Sequence, residues 1–329
     1  MAHYANVSQV PMSLAIFLAT DNYDKTDTPN GISVTTLLKP IRQIVLAQRV
    51  PQEDVNIDLA TMMANRIGSA VHDAIERAWK YNFVKAAILC GYPQSMIDKV
   101  VINPTDEENI DNKIPVYLEN RVSKEIMGYV VTGKYDIVID NRVEDYKVTS
   151  VWEAMKNNNG DSYRLQGSIY RWLNPLKITQ DEMAIQLIFK DWTASSASKD
   201  PNYPPRNFQE RKFKLLSLEE TNAYVVNKLT QINAYMKADE SDIPLCTPDE
   251  LWMSEPTYKY YKNPEKTLKS TKNFDTRQEA MIRLIDDGSV GIVKEIPGQA
   301  KACLYCPAFL ACSQKDQLIE QGLLQLKNH

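Results

Sequence analysis

Between Gly133 and Val148 the chain reads GKYDIVIDNRVEDYKV, two runs of Val, Ile and Tyr separated by Asp140-Asn141. Apolar, β-branched runs around a two-residue Asp/Asn turn specify an antiparallel hairpin, and the turn sets its register. Ile139 pairs with Arg142, Val138 with Val143, Ile137 with Glu144 and Asp136 with Asp145. Directly opposite residues share one side of the sheet, so the two aspartates face each other and repel unless something positive lies between them. Lys147, two residues on, shares that side, whereas Glu144 and Tyr146 alternate to the other. An acid-x-Lys triplet alone is a weak signal; the register is what turns it into a candidate cation site.

Composition sets the frame for that candidate. A chain of 329 residues with 43% hydrophobic and 24% charged content has the material for a large buried core, as one elaborated domain or two modest ones. No apolar run approaches the roughly 20 residues needed to cross a bilayer, and the start of the chain lacks a signal-peptide pattern, so the expected location is cytoplasmic. A net charge of −4 argues against coating nucleic acid with the whole surface and leaves room for a local basic groove. Of five cysteines, three crowd between Cys303 and Cys312, which suits a metal site better than a secreted disulfide framework.

Residues 1–30 read as a polar arm ending in TDTPNG. A helix follows in SVTTLLKPIRQIVLAQRV, with Ser33 or Thr35 as cap and Pro40 as its effective start. Residues 58–80 space Met62, Ile67, Val71, Ile75 and Ala78 as one helical face that also carries His72. Strands are expected at 116–122, 128–139, 142–148, 183–192 and within 207–217, with a helix at 162–173 between them and a long helix at 218–238. Strands joined through a helical crossover indicate a mixed α/β sheet. The boundaries drawn are an N-terminal arm (1–30), a core (31–245) and a C-terminal module (246–329). A helix in DTRQEAMIRLIDDG should end at Gly288.

Gly128–Lys134, GYVVTGK, has the glycine and lysine spacing of a phosphate-binding loop. It lacks the Ser or Thr that must follow the lysine, and the chain continues as a strand rather than a helix, so nucleotide binding there is set aside. His72 alone reads as an ordinary helix histidine. Gly68, one turn earlier, opens the side of the helix that presents the imidazole to another backbone or a substrate. Gln166 and Tyr170 share a helix face four residues apart. Two carboxylates converging with a lysine suit Mg²⁺ or Mn²⁺ and the activation of a water beside a phosphodiester.

Gly68-x-x-x-His72, Asp136 in GKYD, Asp145-x-Lys147 and Gln166-x-x-x-Tyr170 follow the order and approximate spacing of the PD-(D/E)XK nucleases. The chain resembles their RecB-like and Cas4-like exonuclease branch from Ser33 to Cys312, phage-encoded members in particular. That resemblance implies a restriction-endonuclease-like α/β fold, a mixed central sheet flanked by helices, and a C-terminal cysteine-ligated metal module. It implies a DNA nuclease acting on a single strand or duplex end, with replication or recombination proteins as partners, in host cytoplasm if phage-encoded. His72, Asp136, Asp145 and the Tyr146 carbonyl would hold Mg²⁺ or Mn²⁺. Lys147 would orient or help deprotonate the attacking water, and Gln166 and Tyr170 would hold the DNA strand and that lysine in register.

Cys303, Cys306 and Cys312 form a compact C-x₂-C-x₅-C set that needs a fourth ligand. Relatives place theirs before the nuclease core, where this chain has none; Cys246 is chosen because it begins the same module, and Cys90 reads as a core cysteine. Four thiolates hold either a [4Fe-4S] cluster or zinc, and the resemblance favours the cluster. The lysine-rich stretch 259–272 is either a solvated loop or a DNA contact, in which Lys259 and Lys262 neutralise phosphates beside stacking tyrosines. Two rival readings remain: a member of the fold that binds DNA or a partner without cutting it, and a structural metal-binding adaptor.

Overall fold

The computed structural model describes residues 3–20, 28–51, 56–105, 107–156 and 159–326. The chain divides into two units, Met1–Leu38 with Val55–Leu229, and Lys39–Asp54 with Thr230–His329. It begins with β1 (His3–Ala5), α1 (Met12–Ala19), β2 (Gly31–Ser33), α2 (Val34–Leu37), α3 (Ile41–Ala47), β3 (Asn56–Asp58), α4 (Met63–Leu89) and α5 (Gln94–Ile97). Next come β4 (Val100–Ile102), β5 (Ile114–Ile126), β6 (Tyr129–Ile139), β7 (Arg142–Thr149), α6 (Val151–Lys156), α7 (Gly160–Leu173), β8 (Glu182–Phe189), α8 (Ala194–Ala197), β9 (Phe208–Lys214) and α9 (Leu218–Tyr235).

The first unit is built on a seven-stranded mixed sheet in the order β4-β5-β6-β7-β8-β9, with β2 pairing alongside β6. β7 and β8 are parallel, so the chain must cross over between them, and α6 and α7 make that crossing. The β5–β6 and β6–β7 hairpins close on two-residue turns of positive φ: Met127 (54°) with Gly128 (79°), and Asp140 (47°) with Asn141 (64°). Such turns match the right-handed twist of the flanking strands. Gly128 is therefore a hairpin residue, which removes the phosphate-loop reading structurally as well.

The β6–β7 register is Ile139 with Arg142, Val138 with Val143 and Ile137 with Glu144, as the turn dictates, and the ladder ends there. The expected Asp136–Asp145 pair does not form. Helices cover both faces: Tyr146 packs with Trp79 of α4, beside Val116, Leu118, Ile137 and Ile139, while its neighbour Asp145 meets Gln166 of α7.

Several sequence expectations shift. The helix expected over residues 33–50 is two: Ser33 caps α2 by accepting from the Thr36 N–H at 3.1 Å, and Pro40 immediately precedes α3. The N-terminal arm is not wholly polar. It carries α1, whose Met12 and Ile16 are exposed; residues 21–27 of the arm lie outside the described residues. α4 runs nine residues past the expected end at Lys80, and Ile67 and Ala78 of the inferred apolar stripe face solvent. Contact with the sheet falls instead on the His72 and Trp79 side. Cys90, expected in the core, is exposed just beyond the end of α4. No helix among the described residues is long and apolar enough to cross a membrane.

The second unit holds α3 and a three-stranded antiparallel sheet in the order β11-β10-β12. These strands are β10 (Thr257–Tyr261), β11 (Lys272–Phe274) and β12 (Ile292–Ile296), with α10 (Arg277–Asp286) against them and α11 (Ser313–Glu320) near the end. Lys259 thus lies within a strand, opposite Asn273 and Lys294, and the lysine-rich stretch is not simply a loop. α10 ends before Gly288, whose φ of 82° makes the left-handed stop expected of it.

Gly133 shows how closely α7 approaches the sheet. A Cβ there would lie 2.8 Å from Val34 Cγ2 and 2.9 Å from both Leu173 Cδ1 and Tyr170 Cε1. Gly133→Ala should destabilise the protein by about 1–3 kcal/mol through overpacking, read as a lowered midpoint of urea unfolding at unchanged slope.

Candidate functional site

In a regular strand Tyr135 and Ile137 would point to the same side. Here the Tyr135 ring meets Tyr170 of α7, with 6.1 Å between centroids, whereas Ile137 packs on the α4 side. β6 turns over between them, at Asp136. β5 turns over with it: Leu118 pairs with Ile137 and Asn120 with Tyr135, while Glu119 between them sits at φ 48°. A non-glycine residue at positive φ is uncommon and costs of order 1 kcal/mol or more.

The turnover frees the Asp136 carboxylate to act where the ladder would have continued. Its Oδ2 accepts the Tyr146 N–H at 2.8 Å, and its Oδ1 lies 3.3 Å from His72 Nδ1. The other ring nitrogen, His72 Nε2, lies 3.0 Å from the Tyr146 carbonyl oxygen. Gly68 opens its side of α4 as expected, but no other part of the chain comes within 4 Å of a Cβ built there. That space is open.

On the opposite side of β7, Asp145 is 3% exposed. Lys147 Nζ lies 2.5 Å from its Oδ2, yet outside the angles of a hydrogen bond, and Oδ2 has no hydrogen-bond partner. Gln166 Nε2 reaches Asp145 Oδ1 at 3.4 Å and the Tyr170 hydroxyl at 3.0 Å. Gln166 and Tyr170 are themselves buried, so they stand behind Asp145 rather than on a surface that a DNA strand can touch. Glu144 turns away as expected, accepting from Arg142 Nε at 3.1 Å and Gln186 Nε2 at 2.9 Å.

Burial dominates the site's electrostatics. It raises the Asp145 carboxyl above the usual carboxylate range, with Asp136 adding to the rise and Lys147 opposing it. Burial pulls Lys147 down most, but its contact with Asp145 and the Asp136 charge together outweigh it and the net shift is upward. His72 is drawn down most by burial, but the hydrogen bond and charge of Asp136 together with the Asp145 charge outweigh it and the net shift is upward. Carboxylates, an imidazole and a peptide carbonyl are donors of the kind a divalent cation takes, and the His72, Asp136 and Tyr146 contacts gather all three types on one side of β7.

Sequence reasoning missed Glu119. One ligand atom from each of His72, Glu119 and Asp136 lies within 4.8 Å of the others. Burial raises the Glu119 carboxyl, and Lys134, 2.6 Å away, opposes the rise. The only trace in the sequence is a lone acid in the strand VYLENRV, which carries little information without knowledge of the turnover.

The proposed cysteines all lie in the second unit. Cys246 is tied to α11 by reciprocal bonds with Gln314, N–H to Oε1 at 2.8 Å and Nε2 to the Cys246 carbonyl at 2.9 Å. Buried Arg42 donates through Nε to Cys312 Sγ at 3.3 Å and through Nη1 to the Ile243 carbonyl at 3.0 Å. Burial pushes Cys246 up to about 12, with Glu250, Cys312 and Cys306 adding to it. Cys303 is pushed up to about 11 by burial, then by Cys306 and Cys312. The cysteine sulfurs form no group within 4.8 Å of one another among the described residues. Lys262 is exposed just beyond β10, in this same unit.

No protein-family model matches the chain, and no curated protein matches it. Solved structures similar to it include that of SSO0001, with a TM-score of 0.42 and 15% identity over 67% of this chain and 87% of the other. Another is a phage-related exonuclease from Haemophilus somnus 129PT, with a TM-score of 0.27 and 11% identity over 49% of this chain and 67% of the other. Likenesses this low carry no argument about activity.

His72, Glu119 and Asp145 all hold protons more tightly in the folded chain than the ordinary values imply. Their contribution to stability is complete below those ordinary values and is lost as pH rises through the raised ones. With a chelator present, urea unfolding should show this contribution shrinking from about pH 4 upward, the two acids first and His72 only above its ordinary value of about 6.5, with a shallower slope in Asp145→Asn. An identical slope in the variant would contradict the assignment.

Proposed function

We propose that the protein is a metal-dependent DNA nuclease with a restriction-endonuclease-like sheet, hydrolysing phosphodiester bonds at a DNA end or single strand. The observation that carries this reading is the meeting, from α4, β6 and β7, of His72, Asp136 and the Tyr146 carbonyl on one side of β7, with the Asp145–Lys147 ion pair on the other side of the same strand. In the sequence these groups span 76 positions, His72 to Lys147.

His72, Asp136, Asp145 and the Tyr146 carbonyl would hold Mg²⁺ or Mn²⁺. A bound ion of this kind lowers the pKa of a coordinated water and offsets charge on the phosphate. The rest falls to the chain. Asp136 fixes the Tyr146 peptide through its N–H, which holds the Tyr146 carbonyl toward His72. Gln166 restrains Asp145 and is itself held by Tyr170, so the carboxylate cannot swing toward solvent. Lys147, anchored by Asp145, presents an ammonium to the charge that builds on the phosphorane oxygens.

The cysteine module belongs to the same proposal, as a [4Fe-4S] cluster on Cys246, Cys303, Cys306 and Cys312. DNA contact through Lys259 and Lys262, and replication or recombination proteins as partners, complete the reading.

End-labelled single- and double-stranded DNA should be cut in Mg²⁺ or Mn²⁺ and left intact in EDTA. Lys147→Ala and Asp136→Asn should each lower the rate by about 10²–10³-fold or more with DNA binding retained. Cleavage that survives EDTA, or undiminished cleavage by either variant, would overturn the proposal; binding without any cleavage would identify a non-cutting member of the fold. Anaerobically purified protein should be brown and contain iron, with the colour lost in Cys246→Ser. Colourless protein containing zinc would replace the cluster with a zinc site.

A further inference from the structure

α4 meets the sheet through one side only. Of its 27 residues, all among those described, only Arg66 and Ala87 are buried. His72 and Trp79, seven positions apart, mark the side toward the sheet. Positions two removed from these lie about 200° around a helix, on the side directly away from the sheet. There stand Ile67, Ala74, Tyr81 and Ile88 at a strict spacing of seven, with Ala70 and Val84 between them. All six are exposed, Tyr81 by 77% and Ile88 by 55%.

A helix that ends at water carries polar residues on its outer side. With Arg77 included, this stripe instead advances by three and four in alternation from Ile67 to Ile88, the spacing of a seam between two helices. At 1.5 Å per residue it is roughly 32 Å long, far more than the single exposed apolar residues of an ordinary surface.

The charges along its edge select the partner. Asp73 and Lys80 flank the stripe on one side, both exposed. In an antiparallel pair of α4 helices with the two-fold axis between Ile75 and Glu76, Ile67 meets the partner's Val84 and Ala70 meets the partner's Tyr81, large against small. Asp73 then meets the partner's Lys80, and symmetry repeats every contact. Lys80 lies 2.5 Å from Glu76 of its own helix and has further N–H groups to donate. Arg77 falls on the partner's Ala74, which leaves it room to reach water. A parallel pair would instead set Arg77 on Arg77 and Lys80 beside the partner's Lys85, like charge against like.

We propose that the outer face of α4 is the interface of an antiparallel, two-fold symmetric dimer of this chain. His72 points the opposite way, so pairing leaves its contacts with Asp136 and Tyr146 unchanged, and the dimer is independent of the nuclease reading.

Sedimentation equilibrium of the purified protein should show a monomer–dimer equilibrium in the micromolar range. Tyr81→Glu, at an exposed position, should keep the wild-type circular dichroism and sediment as a monomer. Asp73→Lys and Lys80→Glu should each weaken the dimer about tenfold, as two attractive pairs become repulsive, and the double variant should recover most of the loss. Wild-type protein that is monomeric throughout that range, or a dimer undiminished in Tyr81→Glu, would overturn the proposal. A double variant no tighter than the single ones would overturn the antiparallel pairing it states. Should Tyr81→Glu fail to fold, Ile88→Glu, exposed near the other end of the stripe, decides by the same measurement.

Discussion

The contact on which the site depends is the bond from the Tyr146 N–H to the Asp136 carboxylate. A side chain there takes a donor that the sheet would otherwise give to a backbone carbonyl. It is stable because β5 and β6 invert together, so their pairing resumes in the same register on either side. The sheet surrenders one rung and acquires, at that rung, two carboxylates and a peptide carbonyl within reach of His72. Strain at Glu119 is the cost, localised where packing on both sides over-determines the backbone.

Charge is distributed around that rung in an unbalanced way. Asp136, Asp145 and Glu119 bring three acids against Lys147, Lys134 and an imidazole, with Asp145 deep enough that burial outweighs its ion pair. Such an arrangement opposes the folded state until a cation or protons supply the missing charge. Gln166 and Tyr170 belong to the same logic, since a carboxylate left without ordered neighbours would turn toward water. The other face of β7 shows the contrast: Glu144 is met by Arg142 and Gln186 and is satisfied.

The second unit solves a different problem with a similar device. Arg42 is buried and spends its donors on the Ile243 carbonyl, Glu240 and Cys312, so a single side chain from α3 ties together segments far along the chain. Leu251, Ala300, Leu318 and Leu324 make only a small apolar cluster around Cys246 and Cys303.

The sequence by itself determined the hairpins, the mixed sheet and its crossover, and the side of β7 on which Asp145 sits apart from Glu144. Those features follow from local rules: the Asp140-Asn141 turn sets register, and a strand alternates every residue. It also brought His72, Asp136, Asp145, Lys147, Gln166 and Tyr170 to notice, because their residue types recur in a known order. What only the tertiary structure decided is where alternation fails. Asp136 and Asp145 do not face each other, Glu119 joins the site, and Cys90 leaves the core, because each outcome depends on packing of strands and helices distant in sequence. A period of two can be read from neighbours; the position at which two strands invert together is a property of both strands at once.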